Sequence, residues 1–142
     1  MGWFQKEKVV VPVDFSEPSL AAAETALEMV QDPTHLHVIN VLSVLTATEP
    51  GVVWDLPTDE TRREHVMNVL KDHFADAKFD GIHLHVAFGD PGQEIAEFAK
   101  RVGAELIVVP SSGRTGLKHL LIGSVAERVC RLAHCPVLVL RQ

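Results

Sequence analysis

Five short apolar runs, separated by stretches with helical periodicity, constrain the fold of this chain more than any other feature. They are rich in valine, isoleucine and leucine and span residues 8–13, 36–42, 82–88, 106–109 and 137–140. Runs with so little alternation of apolar and polar residues are typical of parallel strands that are covered on both faces. Strict alternation of strands and helices also implies right-handed crossovers. The sequence therefore predicts an α/β fold, a doubly wound five-stranded parallel sheet with helices on both faces.

The segments between the strands carry the start and stop signals of four helices. The first begins after the predicted N-cap Ser16, the second spans about residues 58–77, the third follows Gly89-Asp90-Pro91-Gly92 and stops at Gly103, and the fourth follows Gly123 and Ser124. Apolar residues three or four apart are expected to face the core. These are Leu20, Ala23, Leu27 and Val30 in the first helix, Val66, Val69, Leu70 and Phe74 in the second, Ile95, Phe98, Ala99 and Val102 in the third, and Val125, Val129 and Leu132 in the fourth.

Length, charge and cysteine content limit the class of protein. The 142 residues fit one domain, so residues 1–142 are predicted to fold as a single unit. A net charge of −6, spread over both halves, argues against nucleic acid as the main partner. The first residues lack the apolar core of a secretion signal, so we expect a cytoplasmic protein with no membrane partner. Cys130 and Cys135 lack Cys-x-x-Cys spacing and are predicted to be packing residues in a reducing compartment.

The ends of the first and fourth strands carry the residues best suited to a ligand. Doubly wound sheets bind ligands beyond the carboxyl ends of the strands, where the winding direction reverses. Asp14 follows the first strand, and the segment after Pro110 returns through Gly123 and Ser124 at a helix start. Free N–H groups and the positive end of a helix favour an anion, and phosphate is the predicted one. If the first and fourth strands are neighbours, both segments share one crevice.

Several motifs along the chain match those of one known family. They are Val10-Val11-Pro12-Val13-Asp14-Phe15-Ser16, Leu36-His37-Val38, Gly89-Asp90-Pro91, Gly123-Ser124-Val125 and the ending His134-Cys135-Pro136-Val137-Leu138-Val139. By these motifs the chain resembles the universal stress protein family over essentially its full length. The resemblance implies a Rossmann-like, adenine nucleotide α-hydrolase-like sheet and a nucleotide-binding regulatory protein of the stress response, with no catalytic residue assigned.

The resemblance also implies a ligand and the residues that hold it. The ligand is ATP or the related ADP, AMP or cyclic AMP, with Mg²⁺ beside the phosphates. A carboxylate accepts hydrogen bonds well from a vicinal diol, which suits the ribose. The implied nucleotide-binding residues are Asp14 and Val109 at the sugar, Pro12, Val13 and Val38 around the adenine, and Gly113, Arg114, Gly123, Ser124 and Val125 along the phosphates, with Ser112 in the same loop.

One departure from the family pattern concerns the phosphate loop. Members that bind ATP carry G-x2-G-x9-G-[ST], of which Gly113, Gly123 and Ser124 are present while Pro110 occupies the first glycine position. Proline donates no N–H, so the site loses roughly 0.5–1.5 kcal/mol of hydrogen bonding. The cost is larger if the missing donor faces a charged phosphate, and affinity is expected to fall about tenfold to a hundredfold. The alternative function is therefore a dimeric interaction protein that binds no nucleotide.

Other interpretations stand beside these. Asp14 can be a polar turn residue, Gly123 and Ser124 an ordinary helix start, and Arg114 a solvated charge. A slow ATP hydrolase is a further alternative, although residues 110–123 carry no carboxylate to hold magnesium or position water.

In the family the last strand pairs with its twofold mate, and the apolar edge at residues 137–140 is expected to form a homodimer in this way.

The histidines raise the question of a metal site. His35 and His37, like His83 and His85, lie two residues apart and would project from one face of their strands. Four imidazoles on neighbouring strands can bind zinc, but no cysteine or carboxylate joins them at ligand spacing. Partly buried or edge histidines are the expected outcome, and no metal ligand is predicted.

Overall fold

The computed structural model describes residues 6–44, 58–112 and 122–141. In these ranges the strands are β1 (Val9–Pro12), β2 (Leu36–Leu42), β3 (His83–Phe88), β4 (Leu106–Pro110) and β5 (Val137–Leu140). The α-helices are α1 (Glu17–Glu28), α2 (Asp59–His73), α3 (Pro91–Val102) and α4 (Ser124–Leu132), with single 3-10 turns at Pro33–His35 and Ala77–Phe79. No helix within the described ranges is long and apolar enough to cross a membrane.

The strands form one sheet in the order β3-β2-β1-β4-β5, and every neighbouring pair is parallel. The predicted fold class is therefore confirmed. Val9 and Val10 of β1 pair with Leu36 and His37 on one side and with Leu106 and Ile107 on the other. The winding direction reverses between β1 and β4, so the two segments singled out as ligand-binding leave the sheet from adjacent strands.

Each face of the sheet buries its own apolar layer. Alternate residues of β1 illustrate the division, since Val9 and Val11 pack towards α1 and α2 while Val10 packs towards α3 and α4. All three valines are fully buried. Complete burial of one such side chain is worth about 1.5–3 kcal/mol, which explains why unalternated β-branched runs form the centre of the sheet.

The start of α1 and both ends of α3 follow directly from the chemistry of the residues there. The Ser16 hydroxyl accepts from the N–H of Ser19 at the start of α1. Helix α3 begins after Asp90, whose carboxylate accepts from Gln93 N–H at 3.0 Å, and ends at Gly103 with φ 74. Glycine adopts this left-handed conformation without strain, so it ends the helix as predicted.

The second helix is shorter than predicted. It ends at His73 rather than near residue 77, because Asp76 starts a separate 3-10 turn by accepting the N–H of Lys78 at 3.0 Å. A short acidic side chain that bonds to nearby backbone competes with helix continuation. Phe74 and Phe79 then pack edge to face, with ring centroids 4.9 Å apart, beneath this turn.

The predicted inner face of the fourth helix is confirmed at Val129 and wrong at Val125 and Leu132. Val125 is 40% exposed and Leu132 is 44% exposed, while Ala126 and Val129 are buried. Helix α4 is rotated so that Ala126 and Val129 together pack in the core, while Val125 and Leu132 do not.

The prediction that both cysteines are packing residues is half right. Cys130 is exposed, whereas Cys135 is partly buried against the layer beneath α3 and α4. Burial raises the pKa of the Cys135 thiol.

Candidate functional site

The candidate site lies where β1 and β4 end side by side. Asp14 follows β1 by two residues, and Ser111 and Ser112 follow β4 directly. Helix α4 begins at Ser124 and approaches the end of β4 through a backbone contact with Ser111. The two predicted phosphate residues Gly113 and Arg114 lie outside the described residues. The remaining predicted site residues occupy strand ends, the turn after β1, the start of α4, and the middle of β2.

The turn after β1 gives Asp14 a defined environment. Its carboxylate Oδ1 accepts the N–H of Ser16 at 3.0 Å and also the Ser16 hydroxyl, and its own N–H donates to Ser19 Oγ at 3.2 Å. Between them Phe15 has φ 66, the one positive φ at a residue other than glycine in the described part of the chain. This left-handed residue turns the chain from β1 into α1 and leaves Asp14 partly buried beyond the end of β1.

The predicted adenine-side residues belong largely to the sheet. Val38 is fully buried in the middle of β2, paired with Val11 and Leu84. Val13 is 2% exposed and Val109 is 1% exposed, and Pro12 is partly exposed at the end of β1. The structure therefore brings Pro12, Val13 and Val109 to the carboxyl edge of the sheet, with the two valine side chains packed in the core.

The start of α4 is held against the end of β4. The Gly123 N–H donates to the Ser111 carbonyl at 2.5 Å, and Ser111, which is buried, donates its own N–H to Leu140 at 2.8 Å. A Cβ on Gly123 would lie 3.1 Å from the same carbonyl oxygen, so glycine permits the close approach. The Gly123 N–H, predicted as a phosphate donor, is thus used within the protein.

The donors that remain are the first N–H groups of α4. Ser124 and Val125 occupy the first turn, where a helix provides no acceptor for its own N–H groups. Both residues are exposed, and the positive end of the helix dipole lies at this point.

Comparison with known proteins identifies the family of this chain. The sequence profile of the Universal stress protein family matches residues 6–141. The chain belongs to the universal stress protein family. It is 37% identical to the universal stress protein MJ0531 of Methanocaldococcus jannaschii over 142 residues, covering 96% of this chain and 82% of that protein. It is 33% identical to the universal stress protein YxiE of Bacillus subtilis over 146 residues, covering 94% and 98%.

Solved structures share the fold. Protein MJ0577 gives a TM-score of 0.76 at 24% identity, with 96% of each chain covered. A universal stress protein in complex with cAMP gives a TM-score of 0.66 at 20% identity, covering 95% of this chain and 97% of that one. At these identities the likeness establishes the sheet and its connections.

Histidines of this universal stress protein gather on the α3 face of β2 and β3. His37 is paired with His83 in the sheet register and stacks on it at 4.6 Å between ring centroids, and His37 Nδ1 lies 3.2 Å from His85 Nε2. His35 belongs to a 3-10 turn, so the predicted pairing of His35 with His37 on one strand is wrong. In residues 6–44, 58–112 and 122–141, no three His, Cys, Asp or Glu side chains are placed to hold a metal ion.

The surroundings of the histidine cluster disfavour protonation of its imidazole rings. The pKa of His37 is lowered from 6.5 to about 4 by burial and by the nearby basic groups of His83, His85 and Lys8. Burial, His83 and Arg101 lower that of His85. Both rings are therefore neutral at neutral pH.

Sequence reasoning missed one polar residue beside the site. Asn40 in β2 is 5% exposed, and its Nδ2 donates to the Val13 carbonyl at 2.7 Å. The available signal was an amide in the middle of the otherwise apolar run Val38–Leu42, where an unexplained polar group needs a partner.

Proposed function

We propose that this universal stress protein is a regulatory protein of the stress response that binds an adenine nucleotide in the crevice between β1 and β4. The observation that carries the proposal is the placement of the Asp14 turn and the start of α4 at adjacent strand ends. A carboxylate suits the two hydroxyls of a ribose, and a helix N-terminus suits a phosphate. These are the two ends of one nucleoside phosphate.

The family supports the same class of ligand. A universal stress protein of the same fold is known in complex with cAMP. We propose ATP, with ADP, AMP and cyclic AMP as alternatives, and Mg²⁺ beside the phosphates. The proposed contacts are Pro12, Val13, Asp14 and Val109 for the nucleoside, and Ser112, Gly113, Arg114, Ser124 and Val125 for the phosphates. Val38 is fully buried within the sheet and is not among them.

The phosphate side is expected to bind weakly. Pro110 has no N–H, and the Gly123 N–H is bonded to Ser111. Each missing hydrogen bond is worth roughly 0.5–1.5 kcal/mol, or about tenfold in affinity at the upper end. The N–H groups of Ser124 and Val125 then provide most of the backbone contact to phosphate, which favours a protein that senses nucleotide by reversible binding over one that stores it.

The test is calorimetric titration of the protein with ATP, ADP, AMP and cyclic AMP, with and without Mg²⁺. Replacing Asp14 with asparagine keeps an acceptor for Ser16 but removes the charge, and we expect affinity to fall about tenfold. Asp80→Asn is the matched control. Asp80 is exposed and lies before the amino end of β3, whereas the candidate site lies at the carboxyl ends of β1 and β4. Absence of binding by all four nucleotides below millimolar concentration would retire the proposal.

We also propose a homodimer formed through β5. Strand β5 is the outermost strand, and its residues Val137–Leu140 are only partly buried. The opposite edge is protected, since Arg63 Nη1 donates to the Val86 carbonyl of β3 and both Arg62 and Arg63 lie over Phe88. An apolar edge strand is usually covered, most simply by a copy of itself.

Strand β5 offers a clean variant for this dimer. The carbonyls of Pro136 and Leu140 accept from Ile107 and Ser111, so the main chain of Val139 faces the open edge. Val139→Pro removes an edge donor and, in the proposed dimer, an intermolecular hydrogen bond. Light scattering at micromolar concentration should give a dimer for the wild type and a monomer for the variant. A wild-type monomer would contradict the proposal.

A further inference from the structure

Asn40 is a buried amide that the packing of the sheet alone does not explain. It lies in β2 with 5% exposure, and its Oδ1 has no hydrogen-bond partner among the described residues. An unpaired buried acceptor costs about 1–3 kcal/mol, a penalty that an apolar side chain of similar size would avoid. The reason for an amide at this position therefore lies with its Nδ2 group.

The Nδ2 group holds the peptide bond between Val13 and Asp14. Asn40 Nδ2 donates to the Val13 carbonyl at 2.7 Å, and the Asp14 N–H on the same peptide plane donates to Ser19 Oγ at 3.2 Å. Side chains from β2 and α1 thus fix both polar groups of one peptide unit. With both groups fixed, the plane has little freedom to rotate.

The next residue shows why such a restraint is needed. Phe15 has φ 66, a conformation that non-glycine residues adopt at a cost of about 1–3 kcal/mol. Strained residues of this kind persist only where neighbouring contacts determine the backbone, and they concentrate at functional sites. The fixed peptide plane precedes the strained residue, and the Asp14 carboxylate is attached between them.

We infer that Asn40 is a positioning residue for the nucleotide site. It locks the Val13–Asp14 peptide plane and so holds the Asp14 carboxylate in one place at the end of β1. This inference rests on the proposed nucleotide function, and it assigns Asn40 an indirect effect through Asp14 rather than a contact with the ligand.

Asn40→Leu tests the inference because it removes the donor and the unpaired acceptor together at similar size. We expect nucleotide affinity to fall about tenfold while the melting temperature stays within a few degrees of wild type. Val86→Ala is the matched control. Val86 is 7% exposed in the same apolar layer, and its truncation should lower the melting temperature without changing affinity per folded molecule.

A double variant distinguishes positioning from an independent contribution. If Asn40 acts through Asp14, then Asp14→Asn combined with Asn40→Leu binds no more weakly than Asp14→Asn alone. Additive losses in calorimetry would overturn the inference. Wild-type affinity in Asn40→Leu would overturn it as well.

Amide hydrogen exchange provides a readout without any ligand. The Asp14 amide should exchange faster in Asn40→Leu than in wild type. In Val86→Ala its exchange rate should change only as far as the global stability of the protein changes. An unchanged exchange rate overturns the inference whatever the affinities are. If the wild type binds none of the four nucleotides, the proposed function fails, and the exchange rate alone decides whether Asn40 fixes this turn.

Discussion

At the scale of single residues, the candidate site depends on two backbone positions, one that needs an unusual conformation and one that needs space. Phe15 is a large residue in a left-handed conformation, and its ring packs against the core and lies 5.2 Å from the His73 ring. Partial burial of the aromatic ring offsets the backbone cost, which explains why a glycine is not required here. Gly123 has an ordinary φ of −76, and its requirement is space rather than conformation.

Gly123→Ala tests this requirement for space. The new Cβ would lie 3.1 Å from the Ser111 carbonyl oxygen, and a backbone oxygen already bonded to Gly123 N–H cannot move away cheaply. We expect the free energy of unfolding to fall by about 1 kcal/mol, measured by urea denaturation. Ser124→Ala, at an exposed position one residue later, should leave stability unchanged, and equal stability of Gly123→Ala would show that α4 can shift.

At the scale of elements, local chemistry predicted the strands and most helix boundaries. Strands β2 and β5 have the predicted bounds, and β1 and β4 differ by one residue at their ends, because β-branched runs favour the sheet wherever it is buried. Helix α3 was predictable because Pro91 and Gly103 act through their own backbone restrictions. The early end of α2 was not predictable, because the local sequence is compatible with Asp76 either capping a 3-10 turn or continuing the helix.

The orientation of α4 depends on contacts that periodicity does not contain. A Cβ on Gly92 of α3 would lie 2.7 Å from the Arg128 side chain, and Arg128 Nε pairs with Asp90 at 2.8 Å. These contacts between α3 and α4 turn Ala126 inward and Val125 outward. The same holds for the candidate site. The position of Asp14 could be predicted from the order of the strands. The Asn40 contact and the Ser111–Gly123 hydrogen bond could not, because they require distant segments of the chain to meet.

At the scale of the whole molecule, the histidine cluster links the sheet to α3. His37 and His85 pack against Phe98 of α3, with ring centroids 6.1 and 4.5 Å away, and the charged groups that affect them are Lys8 and Arg101. Protonation of one imidazole would place a positive charge among other basic groups beneath a helix. The neutral state of the cluster is therefore part of how α3 is held on β2 and β3.

Stability should consequently increase with pH over a defined range. The pKa of His37 is about 4 in the folded protein and 6.5 ordinarily, so between these values the unfolded chain binds more protons. The free energy of unfolding should be lower at pH 5 than at pH 7.5, by about 1 kcal/mol after allowance for solvent screening. Urea denaturation at several pH values measures this slope. His37→Phe should reduce the slope and His134→Gln, at an exposed site, should not; identical slopes in all three proteins would show that the cluster does not control acid sensitivity.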